Sequence, residues 1–551
     1  MKRLAILLAI LLCTTAFAQN KHNASTPKDP ATIPLPPDKK GVTIDGKIEN
    51  STIYPGTKRE FQVFVPQQYD GTKPACLVVG LDGNLFGAIT VIDNLIATGE
   101  MPVTIGIFLQ PGVSYNEDST VARYNRSNEF DRTDNRLATF LETEVIPLVE
   151  KMVTPDGRRI LISQDPNDRA ITGASSSGIA AFTTAWERPD LFARVYSSVG
   201  TFVAMRGGNE YPALVRKTEP KPLRIYLQDG VNDTWNHIFG DWWEQNQLMA
   251  SALNFAGYEF DYKWDRGTHS IYYGTRAYPD AMRWLWRGWP AKVQAGESMN
   301  GMLKSLLAKG EEWQEATSED MQSLGDTLAQ LLDSPVEYNN RESHTGYNNP
   351  KGISGSGKSG GRHTAEASKY VKNPYRVLPL HNGDKYITTC EGEIFLLKKN
   401  SRKAAKMDAL PLSGKEIAIY PNRKMLIATE KNSDWLISYL IAPDGSLHCG
   451  QQFYWLHNTN NHNHTPYGNM AFDTLGNLYI ATPIGIQVCD QNGRVRAILP
   501  LPGAGRKVDA LAFIGNKIYA KYGGKIFVRT FAHTGWNSWE APIDVKSQGQ
   551  G

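Results

Sequence analysis

Ser175, Asp233 and His269 follow one another in the chain, each just beyond a short apolar run, and these residue types together can perform nucleophilic catalysis. A serine hydroxyl needs a base to take its proton, and the base needs an acid to orient it. The oxyanion formed on attack needs N–H donors aimed at it. The serine sits in Ile171-Thr172-Gly173-Ala174-Ser175-Ser176-Ser177-Gly178-Ile179-Ala180. An apolar strand running into a knot of small residues, and a small-residue helix leaving it, is how a nucleophilic serine is lifted onto a tight strand-to-helix turn. Small residues relieve strain there and let the helix approach the strand. Read from Gly173, the Gly-x-Ser-x-Gly pattern has Ser177 in fifth place; read from Ala174, Ser176 is the nucleophile and Gly178 closes the motif. The acid has two candidates as well, because Leu223 to Leu227 runs into Gln228-Asp229-Gly230-Val231-Asn232-Asp233. The strand Phe260 to Trp264 leads to Arg266-Gly267-Thr268-His269-Ser270.

The elements that must hold these residues alternate between strand and helix. Strand patterns cover Phe61 to Val65, Ala75 to Leu81, Val103 to Leu109, Arg169 to Thr172, Leu191 to Ser198, Leu223 to Leu227 and Phe260 to Trp264. Helical spacing covers Ile89 to Thr98, Asp134 to Met152, Ile179 to Trp186, Met249 to Ala256 and Tyr278 to Arg287. Short apolar strands alternating with helices predict a mostly parallel sheet with helices on both faces.

At the N-terminus, Lys2-Arg3, the apolar run Leu4 to Leu12 and Ala16-Phe17-Ala18 read as a cleavable export signal over 1–18. The mature chain is therefore expected outside the cytoplasm, secreted or periplasmic, with a flexible segment at 19–40. The leader's apolar run is too short to span a membrane, and no later stretch is long and apolar enough to do so. A formal net charge of +3 over 551 residues offers no basis for nucleic-acid binding. Beyond the leader, Cys76, Cys390, Cys449 and Cys489 leave open either one disulfide in the C-terminal half or isolated buried thiols.

The chain divides at 296–369, a helical stretch followed by a Gly/Ser/Asn-rich linker, between a domain at 41–295 and another at 370–545. In the second domain similar units recur: Lys385 to Thr388, Met425 to Thr429, Leu478 to Thr482 and Lys517 to Ala520, each after a polar turn. A period of about 40 to 50 residues is that of four-stranded propeller blades. His457, His462 and His464 lie among asparagines in a blade-connecting loop, without metal-ligand spacing.

Residues 41–290 resemble the esterase family that includes enterochelin esterases, esterase D and feruloyl or acetylxylan esterases. The residues that carry the likeness are Leu81-Asp82-Gly83, Arg126-Ser127-Asn128-Glu129-Phe130, Glu144-Val145-Ile146-Pro147, Gly173-Ala174-Ser175, Gly230-Val231-Asn232-Asp233 and Gly267-Thr268-His269. The resemblance implies an α/β-hydrolase fold, with Ser175 as nucleophile, Asp233 as acid and His269 as base. It implies an oxyanion hole from the N–H of Ser176 and that of Gly83, and it places Asp82, Arg126 and Glu129 beside the site. Arg126 and Glu129 have an alternative reading as a structural ion pair. Trp235, Trp242 and Trp243, soon after Asp233, are candidates to stack on a sugar or an aromatic acyl group, or to be core. The second domain resembles the gluconolactonase/senescence-marker-protein propellers in Pro443-Asp444-Gly445-Ser446-Leu447 and in Gly476 to Asp490, with Gly310-Glu311-Glu312-Trp313-Gln314 similar to that family's opening strand. Those relatives hold a divalent cation partly through an Asp-Gly-Met triplet. Here Gly468-Asn469-Met470 occupies that place and glycine has no side chain to ligate, so a shortened propeller without a metal is expected.

The function expected is a secreted serine carboxylesterase that needs no metal or other cofactor. Its substrates would be acyl esters, feruloyl or acetyl esters on polysaccharide or siderophore-type esters. The alternatives are a metal-dependent sugar lactonase and a non-catalytic glycan-binding protein.

Overall fold

The computed structural model describes residues 28–325, 366–407, 413–430, 432–458, 467–503 and 507–546. The export signal at 1–18, residues 19–27 of the 19–40 segment, most of the Gly/Ser/Asn-rich tract, and His462 and His464 lie outside them.

Eight strands build one sheet: β1 (Val42–Ile48), β2 (Arg59–Val65), β3 (Cys76–Leu81), β4 (Thr104–Leu109), β5 (Arg169–Ala174), β6 (Arg194–Ser198), β7 (Arg224–Gly230) and β8 (Glu259–Asp265). Their order across the sheet is β1-β2-β4-β3-β5-β6-β7-β8. The pairs β1/β2 and β2/β4 are antiparallel and the other neighbours are parallel. Strands β3 to β7 are buried along their whole length, which is why they read as continuous apolar runs. The edge strands β1 and β8 are half-exposed.

Helices α1 (Ala88–Ala97), α2 (Arg126–Phe130), α3 (Ser176–Glu187), α4 (Tyr211–Lys217), α5 (Trp242–Phe255) and α6 (Ile271–Trp286) surround the sheet. On one face α1 and α6 cover an aromatic layer of Phe86, Tyr196, Tyr226 and Tyr278. On the other, α3, α4 and α5 pack with Phe182, Trp186, Tyr211 and Leu253. The N-terminal domain is an α/β hydrolase. Its strand order reverses beside β3, and in such sheets the crevice at the carboxyl ends near the reversal receives ligands.

Three helices start earlier than apolar spacing predicts. Helix α3 begins at Ser176, inside the serine turn. Asp241 caps α5 through the Glu244 N–H, and Ser270 caps α6 through the Tyr272 N–H, so local hydrogen bonds carry both helices over polar turns. The expected long helix at 134–152 runs without a gap over 136–149, as Arg136–Phe140, a π-turn at Leu141–Val145 and Ile146–Val149. Pro147 offers no N–H and its ring crowds the preceding turn, which the wider π-turn accommodates.

The C-terminal domain consists of four small antiparallel sheets arranged like a propeller. Three hold Pro374–Pro379 to Ala405–Lys406, Ser413–Ile419 to Leu447–Trp455, and Met470–Asp473 to Val495–Leu499 with Gly535–Trp536 added at the edge. The fourth joins Ala510–Ile514, Lys517–Tyr522 and Lys525–Thr530 to Gln314–Glu315, which pairs with Val528 and Phe527. The stretch 301–315, read from sequence as linker, thus contributes to the last blade, and Leu303 and Leu306 sit in that domain's core. Cys489 is a buried strand thiol, as is Cys76, whereas Cys390 and Cys449 are exposed. Among the described residues, no helix is long and apolar enough to cross a membrane.

The two domains share one apolar core, which runs from Phe182 and Trp186 to Tyr454, Leu478 and Ile498. The buried Arg529 guanidinium grips both Glu219 carboxylate oxygens at 2.9 Å, and the Glu219 N–H donates to the Ile498 carbonyl. Lys217 Nζ lies 2.6 Å from His457 Nε2, which engages His457 structurally.

Candidate active site

Ser175 occupies the turn between β5 and α3 at φ 59°, ψ −122°. A side chain is strained there, and a serine held so is a feature of a nucleophile elbow. The strain is held by the Ser175 N–H donating to Ser198 O, by Thr201 N–H donating to Ser175 O, and by the start of α3. A Cβ on Gly173 would lie 2.2 Å from the Ser177 carbonyl oxygen, so glycine is needed where helix and strand meet. The irregular fifth position also has a physical account. Ser177 Oγ donates to Ala174 O at 2.7 Å and accepts from Ala174 N–H at 2.8 Å, tying the helix back onto the end of β5.

The Ser175 hydroxyl lies 2.8 Å from His269 Nε2, and His269 Nδ1 lies 2.7 Å from Asp233 Oδ1. A carboxylate only accepts, so Nδ1 carries the proton and Nε2 is left to accept from the serine. Burial opposes ionisation of Asp233, yet hydrogen bonds from His269, Asp229 and the Thr234 N–H hold its carboxyl below the usual carboxylate range. Of the two serines, Ser175 meets the histidine; the Ser176 side chain is buried and turned toward Asp131. Of the two acids, Asp233 meets it, and Asp229 lies behind Asp233.

Other expected site residues divide. The Ser176 N–H, at the first position of α3, donates to no backbone carbonyl among the described residues. Gly83 is corrected as an oxyanion donor, because its N–H donates to Leu109 O at 3.0 Å. The next N–H in that loop, of Asn84, has no acceptor among the described residues. Asp82 and Arg126 grip each other in a two-pronged pair at 2.8 and 2.6 Å, with Arg126 reaching toward Ala174 O, so they brace the β3 loop against α2 beside the elbow. Glu129 is corrected as a substrate contact. It is fully buried and pairs not with Arg126 but with Arg59, and it also receives the Asn125 amide.

Trp235 is exposed on a small hairpin, Trp235–Asn236 with Gly240–Asp241, which begins just after Asp233. The Ala204 N–H donates to Phe239 O and so ties the hairpin to the loop beyond β6. Trp242 is core-facing. Its ring edge meets His269 with centroids 5.4 Å apart, and its Nε1–H donates to Thr201 Oγ1, which in turn lies 3.3 Å from Ser175 Oγ. Trp243 packs against Trp264. No sequence signal marked Thr201, which belongs to none of the motifs. A separate cavity of about 730 Å³, bordered by Glu219, Lys221, Trp313 and Arg529, opens at the amino end of β7, away from the end that carries Ser175.

Residues 52–267 match the family model described as "Putative esterase". The matched segment, less than half of the chain, is similar to that esterase family. The N-terminal domain is accordingly a carboxylic ester hydrolase. No curated protein matches the chain. Solved structures similar to it include a ferulic acid esterase at 18% identity, TM-score 0.34, covering 45% of this chain and 98% of that one. The enterobactin esterase of Shigella flexneri has 18% identity and TM-score 0.36, covering 47% and 63%. A feruloyl esterase module from Clostridium thermocellum, complexed with sinapinate, has 14% identity and TM-score 0.34, covering 49% and 96%.

Proposed function

We propose that this esterase hydrolyses acyl esters through a covalent acyl-enzyme on Ser175, with His269 as base and Asp233 as orienting acid. The observation that carries the reading is the unbroken hydrogen-bond chain from Ser175 Oγ through both imidazole nitrogens to Asp233, built on a strained elbow. Ser175 Oγ attacks the ester carbonyl while His269 Nε2 takes its proton. The tetrahedral oxyanion is held by the Ser176 N–H and, in place of Gly83, the Asn84 N–H. His269 then gives the proton to the departing alkoxide, and a water activated by the same nitrogen releases the acid. Asp233 stabilises the imidazolium throughout.

The substrates we propose are feruloyl or acetyl esters on polysaccharide, or siderophore-type esters, met outside the cytoplasm after removal of the leader at 1–18. Exposed Trp235 and Ile238, on the hairpin between the acid loop and the loop beyond β6, favour an aromatic or apolar acyl group over a charged one. A fluorophosphonate probe should label the wild type and not Ser175→Ala, while Ser176→Ala should still be labelled. Labelling of Ser175→Ala equal to wild type refutes the nucleophile. A screen of feruloylated, acetylated and siderophore esters identifies the acyl group, and N-terminal sequencing of the mature protein near Gln19 checks export.

A further inference from the structure

Asp229 is the carboxyl group that this relay leaves unused. It stands near the end of β7, fully buried, four residues before Asp233, whose side chain is also fully buried. Each carboxyl has one satisfied oxygen. Asp229 Oδ1 accepts the Gly230 N–H at 2.7 Å, and Asp233 Oδ1 accepts His269 Nδ1–H and the Thr234 N–H. The second oxygens, Asp229 Oδ2 and Asp233 Oδ2, are both buried with no N–H or hydroxyl donor among the described residues, and the two side chains lie within hydrogen-bond reach of each other. Two ionised carboxylates cannot face one another in a buried site, because each would lack a donor and both would repel. One proton must lie between them.

We propose that Asp229 is a positioning residue: a neutral carboxylic acid that donates its proton to Asp233 Oδ2 and so fixes the carboxylate that orients His269. The assignment of the proton follows from the surroundings. Asp233 has the imidazole and the Thr234 N–H to stabilise its charge. Asp229 has burial, the neighbouring Asp233 and the negative Asp265 at the end of β8, all of which raise its pKa, and only the Gly230 N–H to lower it. Asp265 is itself held by Gln228 and the Gly267 N–H. The pair therefore carries a single negative charge. The Asp229 O–H holds the plane of the Asp233 carboxylate so that Oδ1 stays directed at Nδ1. Ionisation of Asp229 at alkaline pH removes the donor and sets two anions against each other, which displaces Asp233 from the imidazole.

The inference rests on the proposed relay, and the test separates the two. Asp229→Asn keeps the geometry, since its amide N–H donates to Asp233 Oδ2 and its carbonyl accepts from Gly230. Asp229→Ala leaves Asp233 Oδ2 orphaned. On p-nitrophenyl acetate, Asp229→Asn should keep kcat within about threefold of wild type, and Asp229→Ala should lose about 10- to 100-fold, the effect of losing a hydrogen bond to a charged group. The wild-type kcat should fall on the alkaline side, and that limb should be missing from Asp229→Asn. Equal losses in both variants, wild-type activity in Asp229→Ala, or an unchanged alkaline limb in Asp229→Asn would each overturn the proposal. If Asp229→Ala does not fold, Asp229→Asn decides alone through its kcat and its pH profile. Ser175→Ala, assayed alongside, identifies the failure: full activity there sinks the relay itself. An inactive Ser175→Ala with an indifferent Asp229 sinks only the role of Asp229.

Discussion

Replacing Ser177 tests whether the irregular fifth position of the elbow is a defect or a working part. Its hydroxyl makes two hydrogen bonds to one residue, accepting from Ala174 N–H and donating to Ala174 O, in a fully buried position. In Ser177→Ala the Ala174 N–H is left buried and unpaired, at a cost of about 1–3 kcal/mol, and the second bond contributes about 1 kcal/mol more. Alanine recovers about 0.5 kcal/mol through its higher helix propensity. The net loss is about 2 kcal/mol, which for a domain of this size lowers Tm by about 4–8 °C. Ser177→Gly restores the commoner motif yet should be less stable again by about 1 kcal/mol, because glycine is the poorer helix residue. Thermal unfolding followed by circular dichroism, with fluorophosphonate labelling on the same samples, measures both effects. Labelling should persist in the folded variants, since the Ser175–His269 contact does not pass through Ser177. A glycine variant as stable as wild type would refute the reasoning, for it would mean that the two bonds to Ala174 contribute nothing.

Asp233→Asn should leave the fold intact and lower kcat by about 10⁴-fold, because an amide can stabilise the wrong imidazole tautomer; retention of a tenth of the activity would contradict the assigned acid. Glu129→Gln, which strands the fully buried Arg59, should destabilise the domain by about 3–5 kcal/mol while KM of the folded enzyme is unchanged; a KM defect without a stability loss would return Glu129 to the substrate site. Lys221 is buried against Trp186 with its amine lowered to about 7, so its folded-state pKa lies below the unfolded value. The unfolded chain then binds the extra proton between about pH 7 and 10.5, and stability falls as pH drops across that window. Lys221→Met should flatten this dependence and raise Tm at pH 7; an unchanged Tm–pH slope above pH 7 would refute it.

Much of the fold was legible because burial on both faces writes itself as continuous apolar runs: β3, β5 and β7 all lie where Ala75 to Leu81, Arg169 to Thr172 and Leu223 to Leu227 predict them. Helix starts were not, since the cap at Asp241 and the first turn of α3 depend on hydrogen bonds and strand contacts that hydrophobic spacing does not register. The propeller repeat was visible as four turn-and-strand units. That Gln314–Glu315 closes the last of them was visible only as a likeness, because the partners Phe527 and Val528 lie more than two hundred residues away.

The site divides in the same way. By itself the sequence determined that a serine turn, two acids and a histidine stand in order beyond successive strands, because a parallel sheet brings its carboxyl ends to one edge. Between neighbours of the same type the residues themselves left the choice open and only the family likeness pointed one way; the tertiary structure shows Ser175 rather than Ser176, and Asp233 rather than Asp229, in contact with His269. Each choice rests on where a side chain points and what else already holds it, as with the Gly83 N–H taken by Leu109 and the Glu129 carboxylate taken by Arg59. Those partners come from other strands and loops, and spacing along one chain carries no record of them.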